Sequence, residues 1–378
     1  MRNKILIYST SDRGHHLEYI HHLHEAAVKD IQREYIFAVP LGIKEKGKML
    51  HWTDASHVGF RYLLDEECIS GNGWKANFSR VKMIKRLCME FHPTDFFLIT
   101  LMAMMPFLAI LNIGNIKFSG IVYNIYLYDW KQMSMLTKIK NIFIYGLLTK
   151  LAKFKRIFIL NDSTAVAVLN KVWHSSKFVY LPDPIAIPNM GNNYQKPDQL
   201  PEKGQKTIFL HAGGMDDRKG TLEIFEMMSN LTAEQKEKTC FVFAGSIAEH
   251  IRTKFFEEYE RLKQECNIVL YYGFCDYDLL ISLCWYSSYL LLPYKNTSMS
   301  SGIIAYGANC GTPVIVPNRG LLGKLVKRFK LGICLNGEFN DTFLCQLDSL
   351  CANNLKTVSG YIRKHTISDF TDTIIDSI

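Results

Sequence analysis

The sequence predicts an α/β protein of two doubly wound parallel-sheet domains, and three observations carry that prediction. Short apolar runs alternate with amphipathic stretches of helical period along the chain, which implies parallel strands joined by right-handed crossovers. The first apolar run leads through a glycine turn into a helix, as a doubly wound sheet begins. The length of 378 residues exceeds what one hydrophobic core serves well, so the chain is expected to divide.

Residues 4–9 form the expected first strand, and SDRGHHLEYIHHLHEAA carries the chain through a turn at Gly14 into a helix with Leu17, Ile20, Leu23 and Ala27 on its apolar side. Gly14 is expected to face a cleft between the domains, because ligands of such sheets sit beyond the carboxyl ends of the strands. A second strand covers 35–39, and 41–75 reads as irregular. An amphipathic helix over 79–91 precedes strands at 96–100 and 120–126. Residues 133–156 combine Leu136, Ile139, Ile142 and Phe143 with Lys138, Lys140, Lys150 and Lys153. Such a segment suits either a core helix with a solvated basic side or peripheral contact with an anionic bilayer. Residues 156–160 are the expected last strand of the first domain, a capped helix begins at Ser163, and 178–181 is a further short strand.

From Pro188 to Gly204 the chain is rich in Pro, Asn, Gly and Gln, the composition of a linker. The expected division is therefore a first domain over 1–187, a linker over 188–205, a second domain over 206–360 and a C-terminal helix over 361–378. The second domain repeats strand and helix: strands at 207–210, 240–244, 268–271 and 289–292, with helices at 221–231, 247–264 and from Asp278. Gly245 and Gly273 each follow a strand, where a missing side chain admits either a base or ribose against the backbone or a tight turn.

Two stretches of this half carry chemistry. In YKNTSMSSGIIAYGANCGTPVIVP, residues 294–317, Ser300, Ser301 and Gly302 open a helix that Gly311 ends, and a buried strand follows. A hydroxyl-rich helix entrance offers amides and the positive end of a dipole to a phosphate. The strand TIFL runs into HAGGMDDRKG, which delivers Arg218, Lys219 and Gly220 to the start of another helix. Two cations beyond one strand and a helix entrance beyond another can converge on a diphosphate.

On these residues the chain resembles the C-terminal half of GT-B glycosyltransferases of the family 4 type, matching its Lys-Gly pair with Lys219-Gly220 and its G-x-P-V-I strand with Gly311, Pro313, Val314 and Ile315. The resemblance implies two Rossmann-like domains facing a cleft, a C-terminal helix crossing back onto the first domain, and a nucleoside-diphosphate-sugar donor used as substrate with no cofactor. It implies catalytic roles for Lys219 and Arg218, and donor contacts from Gly14, Gly214, Gly245, Gly273 and the Ser300–Ser301–Gly302 entrance. The family's two donor-loop glutamates fall at Ser298 and Tyr306, so the chain departs from the pattern there. The family's cleft histidine is also missing, its place falling at Tyr126 or its neighbours.

The formal charge of +8 favours anionic partners, but no RNP, zinc-finger or helix-turn-helix pattern points to nucleic acid. The ten cysteines form no C-x-x-C pair and read as reduced, buried thiols of a cytosolic protein. The first residues hold too short an apolar run for a signal peptide, and Pro106 breaks the only stretch that approaches spanning length. His15, His16, His21, His22 and His24 lack a matching downstream ligand pair, and Asp276-Tyr277-Asp278 sits where a helix is capped, so no metal ion is expected. The expected function is transfer of a sugar onto a saccharide or lipid-linked acceptor in polysaccharide or cell-envelope synthesis, at the cytoplasmic side of the membrane. A catalytically inactive binding subunit of the same fold and a sugar-nucleotide epimerase are the rivals.

Overall fold

The computed structural model describes residues 3–12, 15–69, 71, 73–185, 194–202, 204–273, 275–352 and 360–378. The chain forms two compact units, Met1–Pro184 with Thr366–Ile378, and Ile185–His365. The division precedes the expected linker and the return follows its expected start at 361. The two crossings run side by side, the Ile185 amide donating to the His365 carbonyl at 3.0 Å. Residues 186–193 of the expected linker lie outside the described residues. Its later part is anchored: Leu200 is buried and Tyr194 stacks on Trp285 at 4.7 Å.

The first unit is a seven-stranded parallel sheet of order β3-β2-β1-β4-β5-β6-β7. The strands are β1 Lys4–Tyr8, β2 Glu34–Pro40, β3 Val58–Leu63, β4 Asp95–Leu98, β5 Lys117–Val122, β6 Phe154–Leu160 and β7 Phe178–Leu181. Three expectations are corrected. The irregular stretch holds a helix, Gly42–Met49, and the edge strand β3, whose half-covered side chains give no alternation to read. The strand placed at 120–126 ends at Val122. β7, not β6, closes the sheet. One face carries the helices Trp74–Phe91, Phe107–Ile110, Met135–Lys150 and Ser163–Val172 over a core that includes Ile84, Leu108, Tyr145 and Leu169. The other carries His15–Lys29 and the C-terminal helix Ile367–Ile375, whose Phe370 and Ile374 are fully buried. A capping box of Thr366 and Asp369 starts that last helix, and Phe370 lies 4.8 Å from the Tyr19 ring. The helix thus completes the first unit, as the resemblance implies.

The second unit is a six-stranded parallel sheet of order β10-β9-β8-β11-β12-β13. Its strands are β8 Thr207–Ala212, β9 Thr239–Gly245, β10 Ile268–Tyr272, β11 Tyr289–Leu291, β12 Val314–Pro317 and β13 Gly332–Leu335. Between β8 and β11 the order of connection reverses, which makes their carboxyl ends the switch point where ligands of such sheets bind. All ten cysteines are free thiols; five are buried, but Cys345 is exposed, against the expectation that they are interior. No helix among the described residues is long and apolar enough to cross a membrane.

Candidate active site at the switch point of the second sheet

The loop after β8 is held close to its neighbours. The Gly213 amide donates to the Ala244 carbonyl and the Met215 amide to the Ser246 carbonyl, at 2.9 and 2.7 Å. A Cβ on Gly245, whose φ is +136°, would lie 2.1 Å from the Gly213 carbonyl oxygen, so this glycine permits the approach of two backbones. Gly273 donates to the Gly245 carbonyl at 3.0 Å, and the space where its side chain would stand is open. Of the two glycines left with open roles, Gly245 serves a close turn, and Gly273 leaves room beside the backbone. Gly214 faces the Ser246 hydroxyl across ordinary contact distance, and Gly14 lies outside the described residues.

Asp216 then caps a short 3-10 turn, Asp217–Lys219, by accepting from the Lys219 amide at 2.8 Å. Gly220 follows in the left-handed region, because a Cβ there would stand 2.2 Å from the Pro293 carbonyl oxygen beyond β11. The contact fixes one loop on the other: the amides of Lys295 and Asn296 both donate to the Arg218 carbonyl, at 2.9 and 3.4 Å. The Lys219 ammonium sits 5.7 Å from the centre of the Tyr294 ring and the Arg218 guanidinium 6.0 Å from it. The Tyr294 hydroxyl meets the Ser301 hydroxyl at 3.0 Å. Lys219, Arg218 and Ser301 therefore share one patch, linked through Tyr294. Arg218 also lies 3.7 Å from the Asp216 carboxylate, whereas no carboxylate pairs with Lys219 among the described residues.

The helix Ile303–Cys310 begins at Gly302 without a side-chain cap. The expectation that serines open this helix is corrected: Ser301 spends its hydroxyl on Tyr294. The amides of Ile304 and Ala305 already donate to the carbonyls of Ser301 and Gly302 and so are spent within the first turn. Ser300 and Tyr306 flank this entrance, both partly exposed. Ser298 is buried, its hydroxyl donating to Asn296 Oδ1 at 2.5 Å and its amide to the same oxygen at 3.0 Å. Tyr126, at the place of the family's histidine, lies in the core of the first unit with its ring 4.6 Å from that of Tyr145.

His211, at the end of β8, was missed by sequence reasoning. It is fully buried, with Nδ1 3.0 Å from the Leu291 carbonyl and Nε2 3.0 Å from the Thr221 hydroxyl. Burial pushes its imidazole down to about 4, so at neutral pH Nδ1–H donates to Leu291 and Nε2 accepts from Thr221. It ties the ends of both switch-point strands to the start of the helix Thr221–Ser229.

In the first unit the histidine run is divided among separate tasks. His16 bridges the switch point of its own sheet, with Nδ1 2.8 Å from the Ser9 hydroxyl and Nε2 3.3 Å from that of Thr100. The ligand atoms of His21, His22 and Glu25 lie within 4.8 Å of one another, a spacing that would admit a metal ion. His21 Nδ1, however, accepts the Trp52 indole N–H at 2.8 Å, which puts the imidazole proton on Nε2, the nitrogen that faces Glu25. A ligating Nε2 would require the proton on Nδ1, against that indole. In the Asp276-Tyr277-Asp278 segment, Asp276 accepts from the Leu279 amide at 2.8 Å, as a helix cap does.

Residues 193–362 match the family model described as Glycosyl transferases group 1. A search of curated proteins finds no match. Among solved structures, Anabaena HepE in complex with UDP and glucose is 10% identical, covers 99% of this chain and 98% of its own, and superposes with a TM-score of 0.67. WaaG, a glycosyltransferase involved in lipopolysaccharide biosynthesis, is 14% identical over 99% of this chain and 98% of its own, with a TM-score of 0.63. An α,α-trehalose-phosphate synthase (UDP-forming) from Burkholderia xenovorans is 9% identical over 99% of both chains, with a TM-score of 0.66. The fold is that of the GT-B glycosyltransferases, and the family match covers the segment that holds the switch-point patch.

Proposed function

We propose that this glycosyltransferase takes a sugar from a nucleoside-diphosphate-sugar and moves it, with retention at the anomeric carbon and without a metal ion, to a saccharide or lipid-linked acceptor in polysaccharide or cell-envelope glycan synthesis. The observation that carries the reading is the joining of Lys219, Arg218 and Ser301 through Tyr294 at the switch point of the second sheet. The UDP-sugar complex of the HepE neighbour and the family match over the same half of the chain support it. In this reaction the bond between the anomeric carbon and the phosphate oxygen breaks, and the diphosphate leaves with the electron pair. The acceptor oxygen bonds to the same face of the sugar, and its proton passes to the departing phosphate. Negative charge grows on the diphosphate, so the groups that matter are the fixed donors and cations beside it: Lys219, Arg218 and the Ser300–Gly302 amides. Ser298 and Tyr306 stand where the family has carboxylates, Gly214 and Gly273 line the nucleotide's path, and Gly245 acts through the Gly213 turn.

A panel of nucleoside diphosphates and their sugars tests the reading: the true donor raises the melting temperature by several degrees at saturation. Lys219→Ala is expected to lower turnover with that donor about a hundredfold or more while melting near the wild-type temperature. Near-normal turnover by this variant removes Lys219 from the mechanism. A second reading, a binding subunit without catalysis, is favoured by Ser298, which is buried, bonded to Asn296 and no carboxylate. Donor binding with neither transfer nor hydrolysis would select it.

A further inference from the structure

The helix Met135–Lys150 turns the wrong side outward for a core helix. Ile144, Tyr145 and Leu148 are buried against the sheet. Leu136, Ile139 and Phe143, at the spacing of one helical stripe, are 81%, 56% and 58% exposed and project from the opposite side. Lys138 and Lys140, the neighbours of Ile139 in the chain, stand about 100° to either side of it, as the helical period places them. The helix Trp74–Phe91 lies on the same face of the sheet and starts at the same edge, since each follows the carboxyl end of its strand. It adds Trp74, 63% exposed, and Phe78, both set edge-on against Phe107. Lys82 stands 4.7 Å over the Phe78 ring. From Ile69 to Met89 and from Trp130 to Arg156 the chain holds no Asp or Glu. Exposed apolar side chains framed by lysines, with no carboxylate of their own segments to repel phosphate, complement anionic lipid.

We infer that this face of the first unit docks on an anionic lipid bilayer, with Leu136, Ile139, Phe143 and Trp74 in the headgroup region and the surrounding lysines on phosphate. No helix here is long and apolar enough to span, so the contact is peripheral. The stripe sits at the edge of the sheet where its carboxyl ends open, the edge at which a lipid-linked acceptor would be met. The inference does not depend on the donor reading, because partitioning onto vesicles reports lipid contact and not sugar transfer.

The test is sedimentation of the full chain with vesicles of phosphatidylcholine alone and of phosphatidylcholine mixed with phosphatidylglycerol, at low and high salt. The wild type is expected to partition onto the mixed vesicles and to leave them as salt rises. Leu136→Glu with Phe143→Glu, both at exposed positions, is expected to lower partitioning about tenfold or more, and Lys138→Gln with Lys140→Gln to lower it on the mixed vesicles only. A wild type that stays in the supernatant with mixed vesicles at low salt overturns the inference. So does equal partitioning by both variants and the wild type. A lipid-free dimer that the Glu variant dissociates also overturns it, by assigning the face to a second copy of the chain.

Discussion

Among the described residues Lys219 is held by shape rather than by an ion pair: a Cβ on Gly213 would lie 2.8 Å from its ammonium, and the centre of the Tyr294 ring lies 5.7 Å from it. Such positions depend on backbone approach, which makes Gly245→Ala a direct probe. The added Cβ would meet the Gly213 carbonyl in a conformation that L residues rarely adopt, and the expected loss in denaturant unfolding is about 2 kcal/mol or more. His211 gives a pH test. Its folded value of about 4 lies below the ordinary 6.5, so between the two the unfolded chain binds a proton that the folded chain refuses. The contribution is fully present above the unfolded value and is lost as pH falls, roughly 2 kcal/mol between pH 7 and pH 5. His211→Gln, whose amide can still serve Leu291 and Thr221, is expected to lack this loss when both proteins are denatured at the two pH values. Arg218 and Lys219 were legible because they follow a strand and a glycine turn. His211 was not, since the partners that define it, Leu291 and Thr221, belong to other elements.

At the scale of elements, the loop after β11 and the Lys-Gly loop act as one piece because the ends of β8 and β11 are neighbours. Tyr294→Phe keeps the ring under the two cations and removes the hydroxyl that holds Ser301. It is expected to cost about 1 kcal/mol of stability and to weaken donor binding several-fold in titration with the ligand that the panel selects. Unchanged binding would mean that the helix entrance does not touch the donor. Strands β8, β9, β11 and β12 were readable as short apolar runs because both of their faces are covered. β3, at a sheet edge with most residues half-covered, is interrupted by Gly59 and Arg61 and carries no such run. The serines of the helix entrance were placed correctly in the chain but given the wrong partner, since sequence shows a cap where the fold supplies Tyr294.

At the scale of the molecule, the pattern of alternation gave two parallel sheets, while the points at which the chain passes between units were harder to see. They are set by backbone pairing of Ile185 with His365 and by the burial of Phe370 and Ile374, not by composition. Deleting Thr366–Ile378 strips two fully buried side chains, each worth roughly 1.5–3 kcal/mol, from the first unit alone. Hydrogen exchange is expected to show lost protection in β1 and in the helix His15–Lys29, with the strands of the second unit unchanged; uniform loss would deny the two units their separate cores. The same closure has a consequence during synthesis. Phe370 and Ile374 leave the ribosome after all six strands of the second sheet, roughly ten seconds or more behind β7 at ordinary rates of elongation. The unit translated first is therefore the last to be sealed, and until then its uncovered flank is what a chaperone would find.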